Sequence, residues 1–461
     1  MFLPLMLAAG LDGGAALQHA ARLSALGPHP WGSAVGRGAA QYVASQFQEA
    51  GLRDVHLEEF ETDGVRGVNV VGVRPGAGRG IVLVGAHHDT APDAPGAYDD
   101  GGGVGVMIEV ARAMVKDGGR GRTALFVSFD GEEAWSRGGL CAGSSAFLER
   151  LGPRARDVVG AVIVEMSGWR GGTPTLLPMA YHDPMQPGRS VIAPAWLVRA
   201  AAAGARSGFP GTAVGDRYVG WLHQPAVRAA RVQFYGDDVA FLQRGVPAIL
   251  ASDSSFSAFY PWYHTPQDTA DKLDAGALAR MGSAVLGAVR GLETASPEAP
   301  ESQWFAAFGQ VIERPGLTAA GVVSLLPLLW VARAAGGVRL GLRLLQAAAF
   351  GALLWRQPVV ALWCFGLSHL LAPFSARRGV RVAALSPLIA LLALVFAAHA
   401  KGMVNGTWLA PWEIGLGAFV ALVALTPLRA EAAPGRNGKA GKNKKASRGG
   451  RRRGLPRSVS A

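Results

Sequence analysis

The chain has 461 residues, 50% of them hydrophobic, with a formal net charge of +12 and a pI near 10.2. That length holds one large domain and something more. The basic excess excludes no acidic or neutral substrate, because it is concentrated at one end. Residues 429–461 carry eleven Lys/Arg against Glu431 alone and 316–428 carry eight against Glu413, leaving 1–315 mildly acidic at about −5. Two cysteines, Cys141 and Cys364, fall in different regions and exclude a disulfide framework.

Residues 2–9 are apolar but short, with no basic residue ahead of them, so 1–11 reads as a weak or truncated signal or anchor at best. Apolar residues then recur at helical spacing over 15–25 and 39–50, broken by Gly27-Pro28-His29-Pro30, with Gly51 placed to end the second helix. Strands are expected at 55–60 and 68–73, and after the Pro/Gly-rich turn 74–80 at 81–86. Helix 104–116, strand 123–129, helix 143–151 and strand 158–166 follow. The stretch 171–233 is rich in Gly, Pro and Ala with little periodicity, the composition of a pocket wall. Helix 238–244, strand 246–251 and helix 275–292 close the pattern. Alternating strands and helices predict an α/β domain over 12–296, its largely parallel central sheet flanked by helices and its ligands at the carboxyl ends of the strands.

A linker is expected at 297–315. Beyond it, 317–332, 344–373, 382–400 and 408–428 are apolar, with charges confined to the breaks. A span of the ~30 Å hydrocarbon core takes roughly 17–25 apolar residues, so 316–428 reads as an all-helical transmembrane region of four or five helices. Trp330, Trp355, Trp408 and Trp412 near the span ends suit an interfacial belt. The tail 429–461, basic and rich in Gly, Ser and Asn, is expected to be disordered and cytoplasmic. With no aromatic residues interleaved, it predicts no specific nucleic-acid partner.

Three acidic motifs sit at expected strand ends and helix starts. The strand 81–86 runs into His87-His88-Asp89, where alternation points His87 and Asp89 one way and His88 the other. A neutral imidazole binds zinc through one nitrogen while a carboxylate holds the other. Asp89 would either fix His87 in this way or shape the field beneath a metal. On its own, so short a motif is better explained as a strand-end histidine beside a solvated aspartate. Asp99-Asp100 lies in a Gly-rich turn, where helix capping accounts for one carboxylate but not for two. Glu132-Glu133 ends the strand 123–129, so one carboxylate can face a metal and the other a substrate as general base. Clustered carboxylates are costly without a compensating cation, and a metal is the economical reading. Glu165 ends a further strand, and Asp237-Asp238 stand at the start of the helix 238–244, as pocket lining or as an N-cap.

Ala86-His87-His88-Asp89, Pro95 to Asp100, Asp130-Gly131-Glu132-Glu133, Glu165 and Tyr263-His264-Thr265 together resemble, in order, the zinc aminopeptidase family. That family includes bacterial double-zinc aminopeptidases, glutamate carboxypeptidase II and the glutaminyl cyclases, and the resemblance covers about 12–295. It implies that His87 and Glu165 hold one zinc, that Glu133 and His264 hold the other, and that Asp99 bridges them. Glu132 would be the general base and Asp89 the carboxylate behind His87. Beside them, Asp100, Asp237, Asp238 and Tyr263 are candidate pocket residues. Many soluble members have Asp where this chain has Glu165, whose extra methylene puts one metal site in doubt. Membrane-tethered relatives of the eukaryotic vacuole and endoplasmic reticulum are similar in carrying Glu there and in pairing the domain with several spans.

The resemblance implies a membrane-anchored aminopeptidase acting on peptides with a free N-terminus through a metal-bound hydroxide, with Glu132 taking the proton of the water. Two alternatives stand beside it. A glutaminyl cyclase-like acyltransferase is similar around 129–134 and 241–247, but typically lacks a counterpart of Asp100. A non-catalytic binding domain on the same fold would usually have lost ligands. Five spans would put the domain outside the cytoplasm and the tail inside, in an inner membrane. Arg333, Arg339, Arg343, Arg377, Arg378 and Arg381 favour that orientation. Four spans would leave the domain cytoplasmic.

Overall fold

In the computed structural model the described residues are 11–119, 121–133, 141–182, 190–214, 236–253, 260–298, 304–307, 310–333, 338–356 and 361–362. Helices α1 (Gly13–Ser24) and α2 (Ala34–Glu49) come first, capped by Asp12, which accepts from the Ala15 N–H, and by Ser33, which accepts from the Gly36 N–H. Strands β1 (Arg53–Thr62) and β2 (Val65–Arg74) pair antiparallel, and β3 (Gly78–His87) follows. Helix α3 (Gly102–Asp117) leads to β4 (Arg122–Phe129), and α4 (Ala142–Leu151) to β5 (Val158–Val164).

Short strands β6 (Thr175–Leu177), β7 (Ala180–His182) and β8 (Ser190–Ile192) precede α5 (Ala195–Gly208) and β9 (Ala213–Val214). Then come α6 (Asp237–Gln243), β10 (Ala248–Ser252) and the long α7 (Ala275–Thr294).

Eight strands form one sheet in the order β1-β2-β4-β3-β5-β10-β6-β9. The four in the middle, β4, β3, β5 and β10, run parallel. Their near-continuous apolar sequences suit strands covered on both faces. Alternation along β3 divides the core: Val82 and Val84 join Phe47 of α2, Ile108 of α3 and Val285 of α7 on one side. Leu83 joins Phe147 of α4 and Phe241 of α6 on the other. The expected α/β layering is therefore present, and four parallel strands end side by side at one edge.

Two stretches differ from expectation. Within 171–233, Ala195–Gly208 is a helix, α5, whose Trp196, Leu197, Val198, Ala201 and Ala205 are buried. It packs on α7 through glycine: a Cβ on Gly204 would fall 2.1 Å from the Gly287 carbonyl oxygen. Within the expected linker, β11 (Trp304–Ala307) and β12 (Gln310–Glu313) form an antiparallel hairpin. Trp304 is fully buried in the main core and its indole N–H donates to the Ala193 carbonyl at 3.0 Å. Arg199 of α5 pairs with Glu313 and with Glu298.

Helix α8 (Arg314–Arg333) follows β12 directly and packs with α9 (Val338–Arg356). Among the described residues, no helix is long and apolar enough to cross a membrane. The spans expected at 382–400 and 408–428, most of 344–373 beyond α9, and the tail 429–461 lie outside the described residues.

Candidate metal centre

The edge where β3, β4 and β5 end collects the acidic motifs. His87 is the last residue of β3 and Glu165 follows β5. The chain leaves β4 through Asp130 and Gly131, whose positive φ of 76° turns it sharply into Glu132-Glu133. Asp99 and Asp100, joined by a cis peptide bond, stand just before α3, and His264 comes from the loop between β10 and α7. Sequence positions almost 180 residues apart thus meet because parallel strands end together.

His87 Nε2 lies 3.2 Å from Asp99 Oδ1. The other Asp99 oxygen lies 3.1 Å from His264 Nε2, which is also 2.8 Å from Glu133 Oε1. The ligand atoms of His87, Asp99 and Glu165 all lie within 4.8 Å of one another, and so do those of Asp99, Glu133 and His264. Asp99 belongs to both groups. The donors are imidazole nitrogens and carboxylate oxygens, the set that zinc takes. Buried Glu165 Oε2 has no hydrogen-bond donor among the described residues, as a carboxylate awaiting a cation would. On these observations the residues fit two zinc sites.

Several further carboxylates brace the centre by accepting backbone N–H groups. Asp89 accepts from Glu132 and Glu133, each at 3.1 Å, and its Oδ1 is 3.5 Å from His87 Nδ1. It therefore sits beneath His87 and also fixes the Glu-Glu turn. Asp100 Oδ1 accepts from Gly103 at 3.1 Å and from Met166 at 3.0 Å, tying the start of α3 to the residue after Glu165. Asp253, just past β10, accepts the Tyr98 hydroxyl at 2.6 Å and the N–H groups of Gly168 and Trp169. Asp268 does the same for Tyr98 and Asp99. Asp253 and Asp268 carry no sequence motif of their own, although Asp268 stands four residues after His264 in the same Thr/Pro-rich run.

The remaining expected pocket residues lie close by. Asp237 and Asp238 are the first two residues of α6, both buried; neither caps it, since Gly236 is the N-cap and no side-chain cap bond forms. A Cβ on Gly236 would sit 3.0 Å from Asp238 Oδ1 and 3.1 Å from Glu165 Oε2, so Gly236 is what lets these two carboxylates approach. Tyr263 stacks on His264, ring centroids 3.7 Å apart.

The electrostatics follow from burial. Burial, with Glu165, Glu133 and Asp237 nearby and against the pull of His87, holds Glu132 well above the usual carboxylate range. Burial raises Asp237 to about 6 and, with Asp237 beside it, Asp238 to about 8. Burial alone would lower His264, but Asp99 and Glu133 outweigh it and carry it to about 10. His88, just after β3, is pushed down to about 3 by burial and is 2.9 Å from the Ser128 hydroxyl. It is a neutral core residue, apart from the centre.

Residues 69–289 match the model of peptidase family M28. Among curated relatives, Leucine aminopeptidase 1 of Ajellomyces capsulatus is 29% identical over 145 residues, 29% of this chain and 36% of that one. Vacuolar membrane protease of Laccaria bicolor is 28% identical over 184 residues, 36% of this chain and 17% of that one. The match to the first of these spans about a third of that relative's length. Among solved structures, the aminopeptidase from Aneurinibacillus sp. strain AM-1 is 17% identical with a TM-score of 0.48, over 63% of this chain and 95% of that one. The match over residues 69–289 agrees with the zinc aminopeptidase family that the motifs resemble.

Proposed function

We propose that the chain is a zinc-dependent aminopeptidase, hydrolysing peptide bonds next to a free N-terminus, with Glu132 as general base. The observation that carries this reading is the pair of ligand groups sharing Asp99, with Glu132 held beside them by the Asp89 carboxylate. His87, Asp99 and Glu165 would hold one zinc, and Asp99, Glu133 and His264 the other. Bound there, zinc supplies a lowered pKa for water and polarisation of the scissile carbonyl. Glu132 takes the proton from the attacking water and delivers it to the departing amine. Its raised proton affinity suits the first transfer, and its burial keeps bulk water from competing. Tyr263, packed flat on His264, limits how that imidazole turns.

The test uses the purified chain with zinc, beside Glu132→Gln, on short peptides with free and acetylated N-termini. Cleavage that requires the free amine and falls by about 10²–10⁴-fold in the variant is the expected result. Ammonia release from N-terminal glutamine instead would establish the cyclase chemistry. Zinc binding without turnover of either substrate would leave a binding domain.

The same reading places the chain in a bilayer, with the M28 domain on the extracytoplasmic side of an inner membrane and the basic tail in the cytoplasm. It is supported by the apolar composition of 316–428 and by Val322, Val323, Leu326, Leu344, Leu345 and Trp355, which stand exposed on α8 and α9. A relative that carries the words membrane protease in its name adds to this. Extraction of the chain by alkaline carbonate would overturn the integral placement. Full protection of the domain from protease in spheroplasts would reverse the orientation.

A further inference from the structure

We infer that Asp268 is a positioning residue that couples the two metal sites, an inference resting on the two-zinc reading above. Asp268 is fully buried, and every polar group of its side chain faces one of two segments. Its Oδ1 accepts the Tyr98 N–H at 2.8 Å and the Tyr260 hydroxyl at 3.0 Å. Its Oδ2 accepts the Asp99 N–H at 3.3 Å, and its carbonyl accepts the Ala97 N–H at 3.2 Å. One residue therefore latches the segment bearing the shared ligand, 97–99, to the loop bearing His264.

The two sites depend on that latch unequally. The placement of Asp99 relative to His87 and Glu165 is braced independently, through Asp100 to Met166 and through the Tyr98 hydroxyl to Asp253. The placement of Asp99 relative to His264 runs through Asp268 and the stacked rings of Tyr98 and Tyr260, 4.2 Å apart. His264 is also the most exposed of the five ligands, at 20% of its side chain, and its φ of 56° puts it in the left-handed region. It sits on a loop, whereas His87 ends a central strand. Loss of the Asp268 carboxylate should therefore release the Asp99–Glu133–His264 site and spare the His87–Asp99–Glu165 site.

Asp268→Asn isolates the effect with almost no change of shape. The amide oxygen can still accept from Tyr98 and Tyr260, but its NH2 then faces the Asp99 N–H, donor against donor. Zinc affinity is measured on the purified full-length chain by competition with a chromophoric chelator, for wild type, Asp268→Asn, His264→Ala and the double variant. Wild type should hold two ions. Asp268→Asn should hold one as tightly as before and the other about 10–100-fold more weakly, with hydrolysis recovered by excess zinc. On the His264→Ala background the same change should move the remaining site by less than about twofold.

Two ions bound with wild-type affinity in Asp268→Asn would overturn the inference, and so would equal weakening of both sites. If that variant fails to fold, Tyr260→Phe keeps the ring stack and removes only the hydroxyl that orients Asp268. It should weaken the second site alone, and unchanged second-site affinity would sink the idea. A wild-type chain that takes up fewer than two ions would instead defeat the two-zinc reading itself, which the first measurement reveals before any variant is compared.

Discussion

Asp89 takes two roles at once, facing His87 with one oxygen and holding the N–H groups of Glu132 and Glu133 with both. Asparagine has a single acceptor oxygen, so one of those N–H groups would meet an NH2 instead. Asp89→Asn is expected to lower kcat by about 10–100-fold with an unchanged circular dichroism spectrum, measured on a peptide substrate. Gly102 is constrained by space: a Cβ there would lie 2.0 Å from the Ser167 carbonyl oxygen, a backbone atom two residues past Glu165. Gly102→Ala should cost about 1–3 kcal/mol, read from denaturant unfolding, and loosen zinc binding with it. At this scale, the clustering of His87, Asp99, Glu133, Glu165 and His264 was legible in the sequence through the ordered motifs that the family resemblance rests on. The roles of Asp100, Asp253 and Asp268 were not. Their partners are backbone N–H groups, which every residue but proline carries, so nothing in the sequence marks the contact.

Among the elements, the parallel strands were legible because burial on both faces leaves unbroken apolar runs such as Ile81-Val82-Leu83-Val84. Helix α5 and the β11–β12 hairpin escaped for different reasons. The first lies inside a Gly-, Pro- and Ala-rich stretch that reads as irregular, and the second gains its order from one tryptophan bonded to Ala193, just before a helix more than a hundred residues earlier. Trp304 joins the main hydrophobic core, so we expect the folded unit to run past the boundary at 296 to Glu313. Trp304→Ala should cost about 3–5 kcal/mol in chemical denaturation. A fragment ending at 298 should melt lower than one ending at 313, and equal melting temperatures would put the hairpin outside the domain.

For the whole molecule, the buried acids make an unusual demand on pH. Asp130 is raised to about 8 by burial with Asp89 nearby, and Asp253 to about 7 by burial. Both values lie above those of an unfolded aspartate, so between them the folded chain binds more protons than the unfolded one. Their contribution is present in full below about pH 4 and is lost as pH rises through 7 and 8. Chelator-treated chain should therefore unfold at lower denaturant as pH goes from 5 to 8, and added zinc should restore stability by mass action. A midpoint independent of both pH and zinc would contradict this. The hairpin carries a different consequence. Its last residue, Glu313, is held by Arg199, and α8 begins at the next one, Arg314, with no slack between them. A catalytic head on a loose leash sweeps a volume and meets peptide ends at any depth. Anchored in a bilayer as proposed above, this head would instead stand on a short stalk, its mouth kept near one height and one heading, and chain ends presented at that height would be the ones it trims.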